Sequence, residues 1–341
     1  MEMGVTEPAS RPEPGDTGPE SRPEPDVAGP GSRPEPGVTG PGSPGVAGWG
    51  RWLEVLATGP LATVQDLGRP GRGDLGVGRS GAADRGALRL ANRLLANPEG
   101  AAALEVTLGG LKVRAHGDLI IALAGAPCPA TVTDAAGRTR GIGHQSVESL
   151  PDGATLRLRV PKRGLRTYVA VRGGLDVPEV LGSRATDIMA GLGPERPAPG
   201  AVLPVGPPPA SFPVVDLAPV PQSHPGEPVL EILPGPRDDW FTAEALKVLC
   251  SEPYEVTADS NRVGMRLDGP CLERVRQEEL PPEGMVPGAL QVPPSGRPTL
   301  FLADHPVTGG YPVIAVVCTR DVDRAAQLRP GQRIRFRRAP G

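Results

Sequence analysis

The sequence predicts a mainly β protein of two lobes with a few helices and a disordered N-terminal tail. Short apolar runs, several alternating with period 2, recur from residue 52 onward, and Gly and Pro separate them at intervals suited to barrels or sandwiches. Only two stretches show helical periodicity. The 47 glycines and 45 prolines among 341 residues fit many short strands joined by tight turns.

Residues 1–51 read as the tail. Three near-copies of an eleven-residue unit begin at Ser10, Ser21 and Ser32, each opening Ser-Arg-Pro-Glu-Pro. Such a unit is too short and too poor in apolar residues to stack as a solenoid, and burial there cannot offset chain entropy. The tail holds eight acidic residues against four arginines, so it accounts for the formal net charge of −3 and leaves the rest near neutral. A near-neutral body argues against a general nucleic-acid or anionic-membrane surface. The longest apolar run, residues 119–124, is too short to span a bilayer, and no apolar leader is legible, so the cytoplasm is the expected location.

The folded part is expected over residues 52–338, as lobes of about 52–200 and 226–338. A Pro-rich connector with a candidate strand at 212–217 lies between them. Leu156, Leu158 and Val160 alternate with Arg157 and Arg159, the pattern of a half-buried strand. Further strands are expected at 53–56, 111–115, 119–123, 168–171, 229–233, 299–302, 313–317 and 333–336. Residues 83–96 put Leu88, Ala91 and Leu95 on one helical face, and the pattern stops before Asn97-Pro98. Residues 238–250 place Phe241, Ala245 and Leu249 four apart, with Asp238 as the expected N-cap.

Gly71-Arg72-Gly73-Asp74-Leu75-Gly76 matches a dinucleotide-loop pattern, yet Pro70 interrupts its approach and no series of strand–helix units follows. Lys112, Lys162 and Lys247, the only lysines, never precede Ser or Thr, which excludes a Walker-type phosphate loop. Ser80 lies near a serine-elbow pattern but has Ala82 where a glycine belongs. Cys128, Cys250, Cys271 and Cys318 are scattered and read as buried free thiols. His116, His144, His224 and His305 are equally dispersed, so no metal site is expected.

Thr63-Val64-Gln65-Asp66-Leu67-Gly68-Arg69-Pro70-Gly71 carries an amide, a carboxylate and a guanidinium on a turn just past a strand, and Gln65 with Arg69 reads as a site. Asp84 suits either a helix cap or function. Arg184 is open to two readings: it holds a substrate carboxylate or phosphate, or it braces its own loop by pairing with Asp187. The most informative region is 259–313, where Asp259-Ser260-Asn261-Arg262, Gln291, Asp304-His305 and Thr308-Gly309-Gly310-Tyr311-Pro312 stand on Gly- and Pro-shaped turns beside short apolar runs.

These motifs, with Ser80-Gly81-Ala82-Ala83-Asp84, Gly173-Gly174-Leu175-Asp176-Val177-Pro178 and Gly182-Ser183-Arg184-Ala185-Thr186-Asp187, occur in an order that resembles one family. It is the biotin-dependent carboxyltransferase-like group, also called allophanate hydrolase subunit 2 or KipA-like. The resemblance covers roughly residues 53–336. It implies a cyclophilin-like β-barrel architecture and a KipI-type partner subunit.

Within that family the chain looks most like the C subunit of 5-oxoprolinase. That likeness implies ATP, with magnesium, as co-substrate, and two companions: a lactam-hydrolase protein and the KipI-type partner. Arg69, Arg184 and Arg262 are the candidate cations for phosphate and carboxylate. Gln65, Asn261, Gln291 and Tyr311 are candidate orienting groups, and Asp259 and Asp304 candidate metal-nucleotide ligands or bases. Two alternatives stand beside this reading. One is carboxyl transfer to urea or a related amide, for which biotin would arrive on another protein, since no lysine here follows Met. The other is a non-enzymatic antagonist of a KipI-type kinase inhibitor.

Overall fold

The structure is a computed structural model that describes residues 50–212, 214–219 and 226–340. The repeat tail therefore lies outside the described residues, apart from its last two positions. The first lobe is built from β1 (Trp52–Thr58), β2 (Leu61–Gln65), α1 (Arg85–Leu94), β3 (Ala103–Thr107), β4 (Leu111–His116), β5 (Leu119–Gly125) and β6 (Ala130–Thr133). It continues with β7 (Thr139–Ile142), β8 (Val147–Leu150), β9 (Thr155–Leu158), β10 (Arg166–Val171) and β11 (Val202–Pro204).

Two sheets form, in the orders β11-β1-β4-β9-β6-β7 and β2-β3-β10-β5-β8. The core lies between them, with Leu53, Val113 and Leu156 from the first meeting Leu104, Ile121 and Val169 from the second. All of β10 is buried because it is covered on both faces. Its Val169 and Val171 point into the sandwich, while Tyr168 and Ala170 face Leu88 and Ala91 of α1 and Leu95 just after it. In β3 the same alternation puts Leu104 and Val106 inward and Ala103 on the α1 side. Glu105 therefore also points to the outer face, where an acid needs partners.

The second lobe contains β12 (Val229–Pro234), α2 (Ala243–Ser251), β13 (Tyr254–Val256), β14 (Gly264–Asp268), β15 (Glu283–Gly284) and β16 (Ala289–Gln291). After these come β17 (Thr299–Phe301), β18 (Thr308–Gly309), β19 (Val313–Val317), α3 (Thr319–Ala325) and β20 (Arg333–Arg338). Seven strands close a barrel in the order β12-β19-β16-β17-β14-β13-β20, and the parallel β12–β20 pair completes it. Leu230, Leu267, Leu290, Leu300, Ile314 and Ile334 fill its interior.

Three local expectations change, and the argument against a dinucleotide loop at 71–76 is borne out. Thr242, rather than Asp238, caps α2: its hydroxyl accepts from Ala245 N, and residues Asp238–Trp240 form a separate turn of 3-10 helix. Among the described residues of the stretch at 212–217, Leu217 makes an isolated bridge to Ser146 and no strand forms. All four thiols are free, but only Cys128 is buried. Gly73–Leu75 is a single exposed 3-10 turn, with no strand leading into it.

The lobes meet through side chains near the start of α1. Asp84 caps that helix by accepting from Ala87 N at 2.8 Å, and Asp323 of α3 accepts from Arg85 N and Gly86 N at 3.1 and 3.0 Å. One helix terminus is thus capped from both lobes. Gln327 adds a second tie. Its Oε1 accepts from Leu165 N and Arg166 N, which turns its Nε2 toward Asp84 Oδ2 at 2.7 Å.

Candidate functional site

The loop after β2 is tied to the loop at 183–187 by Asp66. Its Oδ1 accepts from Gly68 N and Ser183 Oγ, both at 2.7 Å, and its Oδ2 accepts from Arg184 N at 2.7 Å. Thr186 N donates to Val64 O, so the second loop runs along the end of β2. Gln65 and Arg69 are sealed beneath this seam, at 0% and 1% exposure. Gln65 Nε2 donates to Thr186 O at 2.8 Å and Thr63 Oγ1 at 3.1 Å. Arg69 Nη2 donates to Ala185 O at 2.5 Å, and Nη1 stands 3.9 Å from Asp187 Oδ2.

Two polar atoms in this cluster have no hydrogen-bond partner, Gln65 Oε1 and Arg69 Nη1. Buried orphans of this kind are uncommon, and Arg69 Nη1 keeps only the ionic contact with Asp187. The residues above them line a cleft of about 390 Å³ whose wall includes Thr186, Asp187, Gly193, Glu195 and Arg196. Gly193 lets that wall close over Arg69. Its φ is +87°, and a Cβ there would sit 2.0 Å from Ala185 O and 3.2 Å from Arg69 Nη2. Both atoms are sealed from the cleft, which is lined by neither Gln65 nor Arg69.

A second cluster crosses the lobe junction. Arg262 Nε donates to Asp304 Oδ2 at 2.9 Å, Nη2 donates to Asp304 Oδ1 and Gly81 O at 3.0 and 2.6 Å, and Nη1 donates to Glu105 Oε1. Glu105 also accepts from Tyr168 OH at 2.6 Å and Ala83 N at 3.0 Å, while Arg166 stands 3.5 Å away. Ser80 Oγ donates to Asp304 Oδ1 at 2.7 Å from a backbone with φ +52°, a conformation that favours glycine. Burial opposes the charge on Arg262, but Glu105 and Asp304 beside it outweigh burial and hold its pKa above the ordinary value. Burial likewise works against ionised Glu105, and the Arg262 and Arg166 charges hold it below the usual carboxylate range. His305 lies near both clusters, within electrostatic reach of Asp304 and Asp187, and burial lowers its pKa.

These contacts revise several expectations. Arg262 and Asp304, at 2% exposure each, are committed to one another and to the first lobe rather than presented to a ligand. Asn261 Oδ1 accepts from Val263 N and Gly264 N, which shapes the turn that aims Arg262 inward, while Asp259 is exposed on the same loop. Arg184 braces its loop, but through Asp176, Glu179 and Val177 O and not through Asp187. Gln291 Nε2 donates to Tyr311 O at 3.1 Å and steadies the 308–312 loop, leaving the Tyr311 ring half exposed. Glu105 escaped the sequence reading. Its signal is a lone acid inside the apolar strand Ala103–Thr107.

Comparison with known proteins places this architecture. The profile described as the carboxyltransferase domain, subdomains A and B, matches residues 75–338. The chain belongs to this carboxyltransferase-domain family. Within the family it is 38% identical to the C subunit of 5-oxoprolinase from Escherichia coli over 287 residues, 83% of this chain and 90% of that one. It is 31% identical to the Haemophilus influenzae protein of the same name, over 83% and 90%. The crystal structure of TTHA0988 superposes with a TM-score of 0.73 at 39% identity, over 84% of this carboxyltransferase-domain chain and 55% of that one. The Kluyveromyces lactis urea carboxylase superposes at 0.76 with 31% identity, over 84% and 27%. The chain therefore spans just over half of the first solved structure and about a quarter of the second.

Proposed function

We propose that the chain is one component of an ATP-dependent 5-oxoprolinase, which opens the lactam of 5-oxo-L-proline to L-glutamate with ATP hydrolysis. The observation that carries this reading is the correspondence over 90% of the length of two bacterial 5-oxoprolinase C subunits. The chemistry beneath the cleft supports it. A lactam presents one N–H and one carbonyl oxygen, the complements of Gln65 Oε1 and Arg69 Nη1, which the 183–187 loop would have to uncover for contact. Opening a resonance-stabilised amide is helped if the γ-phosphoryl group of ATP moves to the lactam oxygen, releasing ADP. Water then adds to that carbon, the C–N bond breaks and phosphate leaves.

In this reading Gln65 orients the ring nitrogen and Arg69 faces the oxygen that gains charge, both on a backbone held rigid by Asp66. Arg262, Asp304 and Glu105 position the loops from below. Two further proteins, one of KipI type and one a lactam hydrolase, complete the complex. The test is ATP-dependent glutamate release by the chain purified with both partners. Release is expected with the native chain, and Arg69→Gln is expected to lower kcat/KM at least about a hundredfold, the scale of losing a group that stabilises developing charge. No release from a verified complete complex, beside an active matched control, overturns the reading.

A second reading, carboxyl transfer to urea, is favoured by the superposition on urea carboxylase. Urea also offers N–H and carbonyl groups. Biotin would then arrive on a separate carrier, because Lys112, Lys162 and Lys247 follow Leu111, Pro161 and Leu246. Bicarbonate-dependent ATP turnover that requires both urea and a biotinylated carrier would select it.

A further inference from the structure

The second lobe holds a groove that neither cluster uses. Ala243, Leu246, Lys247 and Cys250 stand at i, i+3, i+4 and i+7 of α2, so they share one face of the helix. Ala245 and Leu249 bury a different face in the barrel core, which leaves the first face unpartnered by the fold. Across from it lie Ile232 and Pro234 of β12, Ala315 of β19 and Arg338 of β20, and the space between is a mostly apolar cavity of about 460 Å³. That is the size of a small-molecule site.

The groove is polarised along its length. Ile232 pairs with Arg338 and Pro234 with Ala315, so the strands set Arg338 at one end and Ala315 toward the other. Lys247 and Cys250, late in α2, share the Arg338 end, and the Arg338 charge acts on the Cys250 thiol against the burial that raises its pKa. Asp238, whose N–H donates to Gly235 O, stands at the Pro234 end. Lys247 Nζ donates to Glu244 Oε2 at 3.2 Å, whereas no carboxylate among the described residues pairs with Arg338. The uncommitted charge is therefore one guanidinium fork, which suits one carboxylate, while Asp238 repels a second. From Ala243 to Cys250 the helix rises about 10 Å.

We propose that this groove binds a small amphiphilic monocarboxylate, its head group on Arg338 and Lys247 and an apolar body about 10 Å long against Ile232, Leu246 and Ala315. The site goes beyond the 5-oxoprolinase reading, and its test needs no turnover. Cys250 supplies the readout. The full chain is alkylated with iodoacetamide at increasing sodium octanoate, and each cysteine is followed by mass spectrometry, with Cys271, also exposed but outside the groove, as internal control.

Octanoate should protect Cys250 saturably and leave Cys271 unchanged. Hexanoate should need about tenfold more, the scale of the methylenes it lacks. Arg338→Gln, at an exposed position, should raise the octanoate midpoint about tenfold or more, and Lys247→Gln, whose charge Glu244 already shares, only a few-fold. Arg297→Gln, on a surface arginine paired with Asp268, should not move it. Octanedioate, whose second carboxylate meets Asp238, and octylamine, whose cation meets Arg338, should protect far less. Circular dichroism checks the fold of each variant. Absence of saturable protection, equal protection by octylamine, or a native midpoint in Arg338→Gln overturns the proposal. Protection without octanoate that disappears on dilution gives the groove to a second copy of the chain and overturns it as well.

Discussion

Asp84→Asn tests how the lobe junction handles a buried acid. Asp84 is pushed from 3.8 to about 6, first by burial and against its hydrogen bonds from Gln327 and Ala87. A raised carboxyl pKa means the folded state holds its proton more tightly than the unfolded chain. This group therefore costs nothing below pH 3.8, progressively weakens the fold as pH rises toward 6, and exerts its full penalty above that. About two pKa units correspond to roughly 3 kcal/mol.

Asn removes the titration but introduces a fixed defect. Its oxygen can still accept from Ala87 N, while its NH2 must face Gln327 Nε2, which cannot flip because Gln327 Oε1 already serves Leu165 N and Arg166 N. Two donors face to face cost roughly 1–3 kcal/mol at any pH. The variant should thus be less stable than the native chain near pH 4 and equal or better near pH 7.5. Urea unfolding across that range, followed by the fluorescence of Trp52 in the first lobe and Trp240 in the second, measures the difference. A stability difference that stays constant within about 0.5 kcal/mol would refute the buried-acid argument.

Glu105→Gln leaves Arg262 and Arg166 short of a countercharge in the interior and should destabilise by roughly 3–5 kcal/mol. Because the folded pKa of Glu105 is depressed, its contribution is present above its unfolded value of 4.5 and fades as pH falls, so the loss should shrink in acid. Ser80→Ala should destabilise by roughly 1–3 kcal/mol through the lost bond to Asp304, and Ser80→Gly by about 1 kcal/mol less, because glycine relieves the positive φ. Asp323→Ala uncaps α1 from the far lobe and should lower stability by roughly 1 kcal/mol, with hydrogen exchange at Arg85 and Gly86 reporting the loss.

Much of the β architecture could be read from local pattern. Alternation at Leu156 and Leu158, and the apolar runs that became β5, β10 and β19, needed no tertiary information. The cap at Asp84 was equally local, since its partner Ala87 is three residues away. Thr242 was overlooked because Asp238 is also a good capping residue and stands before the same apolar stripe. The seven-residue α3 was invisible because Cys318, at its N-cap, makes no side-chain cap bond. The Arg262–Glu105 pair joins positions 157 residues apart, and no periodicity reports such a separation. Gln65 and Arg69 were legible as a pair, but the cleft above them depends on how the 183–187 loop folds over β2.

The junction also governs what a broken chain would do. Arg262 reaching Glu105, Ser80 reaching Asp304, and Asp323 and Gln327 reaching the start of α1 are bonds that do not pass through the polypeptide link between β11 and β12. A protease cut just before β12 is expected to leave two fragments that copurify and unfold together. Either fragment expressed alone would carry unpaired charge on the surface it expects to hide. The two halves are one cooperative object joined by side-chain chemistry as well as by the peptide between them.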